Sequence, residues 1–176
     1  MKKVSRALSI GKEEGIRPLF MISVLFVCLG NICRSPMAEA VFRHYVEKDG
    51  LTGHIQVDSA GIGDWHVGEP PHHGTRKKLD EAGISYVGIR ARQVKKEDFD
   101  RFNYIVAMDE SNLAHLRRLA EGRNVSLYRL VDFIPETTYT EVPDPWYTGN
   151  FDETFELVTQ GCRGLLERIK KEHGLG

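Results

Sequence analysis

Residues Val27–Pro36 read VCLGNICRSP, and the fold turns on how they are parsed. Two cysteines, a Gly-Asn pair and an arginine in one short stretch suit three things: the end of a secretory signal, a redox pair, or a loop built to hold a ligand. The apolar run before it, Met21–Leu29, is short for a membrane span, which needs about 20 apolar residues. Glu13, Glu14 and Pro18 separate that run from the basic start of the chain, which is a poor fit to a signal peptide. The run is rich in Val, Ile and Phe and stops at Gly-Asn, as a buried parallel strand does. Ile22–Val27 is therefore expected as the first strand. After it, Ser35 is expected to cap a helix with Pro36 at its first position. Met37, Ala40, Val41 and Tyr45 recur at helical spacing, and Asp49-Gly50 ends the segment.

The same alternation continues along the chain. A second strand is expected at Ile55–Ala60, then a loop rich in Gly, Pro and His (GIGDWHVGEPPHHG), then a helix at Thr75–Ala82 stopped by Gly83. FNYIVAMD reads as a strand ending at Asp109. A helix near Ser111–Glu121, a short strand around Ser126–Leu130 and the loop TEVPDPWYTGN follow. Asn150 and Glu153 have capping-box spacing before a last helix whose apolar face is Phe155, Val158, Cys162, Leu165, Leu166 and Ile169. Strands alternating with helices predict an α/β sandwich, a parallel sheet covered on both faces, with ligands beyond the carboxyl ends of the strands. The 176 residues are 41% hydrophobic and 28% charged, enough for one packed domain, and residues 1–20 read as a polar extension with Met21 as an alternative start. A formal charge of -1 makes no case for nucleic acid or a membrane as partner. Three cysteines, Cys28, Cys33 and Cys162, argue against a disulfide framework and for a reducing compartment, the cytoplasm.

Five residues, Leu29–Cys33, separate Cys28 from Arg34. Curled at the start of a helix, the backbone N–H groups of Leu29, Gly30, Asn31, Ile32 and Cys33 would converge as an anion-binding nest at the positive end of the helix dipole. Gly30 and Asn31 are the residue types that tolerate the left-handed backbone such a curl demands. Arg34 would grip an oxyanion with two N–H groups, and Ser35 would add a hydroxyl to the Cys28 sulfur. In that field the Cys28 sulfur is expected to act as a thiolate nucleophile. A thiolate beneath a tetrahedral oxyanion points to phosphoryl transfer onto Cys28 and then hydrolysis. The leaving group needs a proton, and Asp144, held between Pro143 and Pro145, is the candidate general acid. A bare Cys-x5-Arg match is weak; the order strand, Gly-Asn, Ser-Pro, helix is what gives it weight.

VCLGNICRSPMAEAVF together with PDPWYTGNF strongly resembles the low-molecular-weight protein tyrosine phosphatases, and DSAGIGDW, RARQV and MDESNL resemble that family in the same order. The resemblance runs from Met21 to about Lys171, so residues 21–176 are expected to be the catalytic domain. It implies a four-stranded parallel sheet flanked by helices, Cys28 as nucleophile, Arg34 as phosphate and transition-state ligand, and Asp144 as general acid. It also implies a supporting network of Asn31, Ser35 and Ser59, and a second loop cysteine, Cys33, that can pair with the nucleophile under oxidation. Two positions depart from the family pattern. Ile89 stands where many members carry a histidine that braces the loop asparagine, and His72 stands where an Asp often follows Pro-Pro. An adjacent pair such as His72 and His73 on a loop is usually solvated, and two histidines make a poor metal site, so no metal and no cofactor are expected.

Ile32, Trp65, Trp146 and Tyr147 are expected to wall a cleft that fits a phenyl ring, which leaves phosphoserine too short to reach Cys28. Isoleucine at position 32 favours phosphotyrosine in a protein substrate; the similar phosphoarginine phosphatases tend to have threonine there. Arsenate reduction would need further cysteines for thiol exchange, and Cys162 reads as core. A phosphocarrier that does not hydrolyse its cysteinyl phosphate would have no use for Asp144. The expected assembly is a monomer or weak dimer.

Overall fold

β1 (Ile22–Cys28) is buried along its whole length because it lies inside the sheet, between β2 (Ile55–Gly61) and β3 (Tyr104–Ala107). The structure is a computed structural model and describes residues 21–176; the proposed extension 1–20 lies outside the described residues. β4 (Leu127–Arg129) completes a four-stranded sheet in the order β2-β1-β3-β4, parallel throughout. The chain leaves β1 toward β2 on one side and later returns to β3 on the other. The end of β1 is thus a topological switch point, where the two crossover connections diverge and leave a crevice.

The helices are α1 (Arg34–Lys48), α2 (His73–Ala82), the short α3 (Asp98–Arg101), α4 (Glu110–Leu119), the short α5 (Pro145–Thr148) and α6 (Phe151–His173). Alternate residues of β1 face opposite layers, as the two-residue repeat of a strand requires. Val24 and Phe26 pack with Met37 and Val41 of α1 and with Leu165 and Ile169 of α6. Leu25 and Val27 pack with Phe99 of α3 and with Leu113 and Leu116 of α4. This is the three-layer α/β sandwich expected from the alternation. Among the described residues no helix is long and apolar enough to cross a membrane.

Two helix starts differ from expectation, each for a local reason. α1 begins at Arg34, with Cys33 as N-cap and no side-chain cap, because the Ser35 hydroxyl is engaged by Asn31 and Cys28. Pro36 is still tolerated, since first-turn N–H groups have no partner within the helix. α2 starts two residues early, at His73, because His72 is not a solvated loop residue: its Nδ1 accepts from Gly74 N at 3.0 Å and caps the helix. On α6, Asn150 caps through Glu153 N as its spacing predicts, and Val158, Cys162, Leu165, Leu166 and Ile169 are buried. Phe155 is only half-buried and lies beneath Lys78.

Candidate active site

The chain leaves β1 at Cys28 and curls through Leu29–Cys33 into α1. Asn31 takes the left-handed turn, at φ 58°. Gly30 does not; its place in the loop is set by close approach, since a Cβ there would meet the His66 ring at 3.1 Å. Gly61, at the end of β2, is needed for the same reason: a Cβ would lie 3.0 Å from Asn31 Cβ and 3.1 Å from the Leu29 carbonyl oxygen. The loop carbonyls are tied outward. Cys28 O accepts from Ile62 N, Leu29 O from Gly63 N, and Ile32 O from His72 N, at 2.9, 2.9 and 2.7 Å. Across a trans peptide the N–H points away from the C=O. The N–H groups of Leu29, Gly30 and Cys33 are therefore turned to the inside of the curl, at the N-terminus of α1, as an anion nest requires.

Asn31 holds the curl in place by three hydrogen bonds. Its Nδ2 donates to Ser35 Oγ at 2.7 Å and to Ser59 Oγ at 3.0 Å, and its Oδ1 accepts from Arg92 N at 2.9 Å. Ser35 Oγ lies 3.0 Å from Cys28 Sγ. Because the Ser35 oxygen already accepts from Asn31, its proton is free for the sulfur. Ile89 is not part of this bracing; it is buried in the main core, and the Arg92 N–H serves the asparagine instead.

Arg34, the first residue of α1, is 2% exposed. Its Nη1 donates to Asp109 Oδ2 at 2.8 Å and to the Val142 carbonyl at 2.9 Å, and its Nη2 to Asp144 Oδ2 at 3.3 Å. Burial alone would lower the guanidinium pKa, but Cys28, Asp144 and Asp109 outweigh it and raise the pKa, so the charge is secure. Nε is buried and has no hydrogen-bond partner, which leaves one directed N–H for a ligand. Asp144 caps α5 by accepting from Trp146 N at 3.0 Å. Cys33, on the same loop, is the opposite of an activated thiol. Burial first, then Cys28 and Asp144, push its pKa up to about 12 against the opposing effect of Arg34.

Cys28, Leu29, Gly30, Ile32, Cys33, Arg34, Trp65, His66, Asp144, Trp146 and Tyr147 line one cavity of about 210 Å³. Cys28 is buried at its base, while Trp65, Trp146 and Tyr147 are 65%, 55% and 75% exposed at its mouth.

Residues 23–175 match the family described as low molecular weight phosphotyrosine protein phosphatase. The chain belongs to that family. It is a protein-tyrosine phosphatase that acts through a cysteine nucleophile, Cys28. The low molecular weight protein-tyrosine-phosphatase YfkJ of Bacillus subtilis is 55% identical over 156 residues, 88% of this chain and 100% of that protein. Its crystal structure superposes with a TM-score of 0.86 over 87% of this chain and 97% of the other. PtpA of Staphylococcus epidermidis, a protein of the same description, is 43% identical over 88% of this chain and 98% of its own length. The crystal structure of a Drosophila arginine phosphatase is 33% identical, with a TM-score of 0.77 over 84% of this chain and 97% of that one.

Of the residues expected at the site from sequence, Asn31 and Ser35 do not line this cavity but stand behind the loop with Ser59, and the other expected loop, acid and cleft residues line it. Four residues at or behind the site were missed from sequence. Asp109 caps α4 through Asn112 N and turns its other oxygen to Arg34; an acidic residue closing an apolar strand was the one available hint. His66 lies beside Trp146, with ring centroids 5.9 Å apart. Arg92 pairs with Asp58 and with the fully buried Asp98, and Glu39 accepts from Ser59. His72 stacks on His73 and Phe151 and meets Trp146 edge-on; burial first, then His73, Arg76 and His66, lower its pKa.

Proposed function

We propose that this phosphatase hydrolyses phosphotyrosine in a phosphoprotein, with Cys28, Arg34 and Asp144 as its catalytic residues. The phosphoryl oxygens bind the inward N–H groups of Leu29–Cys33 and the Arg34 guanidinium, which neutralise charge where it builds up in the transition state. Cys28 Sγ attacks phosphorus as the bond to the phenolic oxygen breaks, and Asp144 gives that oxygen a proton. A water then attacks phosphorus of the cysteinyl phosphate. Asp144 takes its proton, the S–P bond breaks, and phosphate leaves with Cys28 restored. Nucleophile, charge and proton all come from side chains, so the reaction as written calls on no cofactor or metal.

The observation that carries this reading is the single cavity with Cys28 and Arg34 at its base, Asp144 on its wall and three aromatic side chains at its mouth. Aromatic walls favour a flat ring by roughly 0.5–1.5 kcal/mol per stacking contact beyond its burial. Ile32, 7% exposed on the cavity wall, presents an apolar surface that suits a phenyl ring better than a guanidinium. The three free thiols fit a reducing compartment, the cytoplasm, and the enzyme is read as a monomer or weak dimer.

The test is a kinetic comparison of phosphotyrosine, phosphoarginine and phosphoserine peptides, with arsenate as a control, run on the wild type and on Asp144→Asn. Phosphotyrosine should be turned over fastest. The variant should lose about 10²–10⁴-fold in kcat while still binding phosphate. Faster phosphoarginine turnover would replace the substrate assignment, and an unchanged kcat in the variant would remove Asp144 from the mechanism.

A further inference from the structure

Glu39 is a carboxylate with no place in the proposed reaction, yet it is 5% exposed in the first half of α1, behind the phosphate loop. Its Oε1 accepts from Ser59 Oγ at 2.7 Å, and its Oε2 from Arg43 Nη2. Beyond Ser59 the hydrogen bonds continue to Asn31, Ser35 and Cys28. The chain has a direction. A serine hydroxyl has one proton and two lone pairs. With Ser59 donating to Glu39, its oxygen is free to accept from Asn31 Nδ2. Asn31 cannot reverse, because Arg92 N–H requires Oδ1 on its own side. Ser35 therefore accepts from Asn31 and keeps its proton for the sulfur.

We propose that Glu39 is a positioning residue for the nucleophile: its carboxylate, through Ser59, holds Asn31, and with it the phosphate loop and the Ser35 hydroxyl on Cys28, in the competent arrangement.

Protonation undoes this in a defined way. Arg43 occupies Oε2 as a donor, so an added proton goes to Oε1 and turns the bond to Ser59 round. Ser59 Oγ then accepts from both Glu39 and Asn31 Nδ2, which uses its two lone pairs, and its own buried proton loses the acceptor that Glu39 supplied, so the anchor that Ser59 gives Asn31 is weakened. Asn31 is also the residue at positive φ on which the loop turns, so the shape of the loop depends on its anchors. The charged groups around Glu39 are Arg43 on its own helix, Asp58 on β2, and Arg92 from the segment that follows α2. Arg92 is already shared between Asp58 and Asp98, which leaves Arg43 as the cation in contact with Glu39. Burial first, against the Ser59 bond and Arg43, raises the Glu39 pKa from 4.5 to about 7. The arrangement therefore changes near neutrality.

This inference rests on Cys28 and its loop being the proposed site, and the experiment separates the two. The decisive variant is Glu39→Gln, because Arg43 holds the amide oxygen and leaves the NH₂ to face Ser59, as in the protonated acid. The readout is the ratio of variant to wild-type kcat/KM for p-nitrophenyl phosphate from about pH 5.5 to 8, in which ionisation of the substrate cancels. The ratio should be about one tenth near pH 8, the loss of one hydrogen bond, and should rise toward one near pH 5.5. The same pattern should appear in the ratio of dissociation constants for inorganic phosphate, read by calorimetry. Ser59→Ala cuts the relay with Glu39 in place and should behave alike if the glutamine variant fails to fold. A ratio that stays constant across pH, in either variant, would make Glu39 merely structural and overturn the proposal. A wild type that binds phosphate with this pattern but hydrolyses nothing would overturn the proposed reaction and leave Glu39 standing.

Discussion

On the cavity side of α1, Arg34 meets two carboxylates that water still reaches, Asp109 at 16% and Asp144 at 21% exposure. On the sealed side, Glu39 is 7% exposed at its side chain and meets Arg43, a cation that is 34% exposed. Both sides hold the same loop with buried charge, but the balance between desolvation and pairing differs. For Arg34 the surrounding negative groups outweigh burial, so its charge persists and is available to an oxyanion. For Glu39 burial outweighs its partners, so its charge depends on pH. One side is built to hold charge for a ligand, the other to give it up near neutrality.

Four measurements break or sharpen this contrast, and the first carries the largest effect. Arg34→Lys keeps the charge on the cavity side but loses the planar fork that serves Asp109, Val142 and the ligand together. It should lower kcat/KM by about 10³-fold in steady-state assays. A loss under tenfold would mean that charge alone suffices there.

The second measurement addresses the sealed side through stability. In the fold Glu39 keeps its proton to about pH 7, whereas its unperturbed value is 4.5. Between those values the folded chain binds the extra proton, so its stability falls as pH rises and levels off above the folded value. Urea unfolding should show this as up to about 3 kcal/mol lost from below pH 4.5 to above pH 7, and Glu39→Gln should flatten the slope. An unchanged slope in the variant would place the titration elsewhere.

Smaller effects are expected from the loop's own side chains. Ile32→Thr should raise the phosphoarginine to phosphotyrosine ratio of kcat/KM by about tenfold, because it replaces an apolar contact with a hydroxyl at the cavity wall. An unchanged ratio would move substrate choice to the aromatic mouth. Cys33→Ala tests protection. Peroxide should first convert the reactive Cys28 to a sulfenic acid, and the Cys33 thiol should capture it as a reversible disulfide. Recovery of activity with a thiol reagent should therefore drop in the variant, and equal recovery would mean that Cys33 protects nothing.

How legible the protein was depends on the range of the interaction involved. Strand β1, the turn at Asn31 and the α6 cap at Asn150 follow from adjacent residues, because strand alternation, left-handed tolerance and capping are local physics. Local reasoning failed where a side chain had a distant use. Ser35 looked like a cap, but its hydroxyl belongs to Asn31 and Cys28. Gly30 looked like a left-handed turn residue, but what it provides is room beside His66. His72, expected in solvent, caps α2 and stacks on Phe151.

By itself the sequence determined a parallel α/β sheet with a phosphate loop after its first strand and named Cys28 as the nucleophile; Arg34 and Asp144 are its proposed catalytic partners. The sheet rests on apolar periodicity, and the loop and nucleophile on a motif contained in one short stretch. Only the tertiary structure decided what stands behind them. Asp109 reaches Arg34 across 75 residues of chain, and Glu39 reaches Ser59 across 20. Whether a buried charge is paired or strained is a property of the space around it. That space is assembled by the sheet order, which brings the ends of β1, β2 and β3 to one point, and no spacing along the chain encodes it.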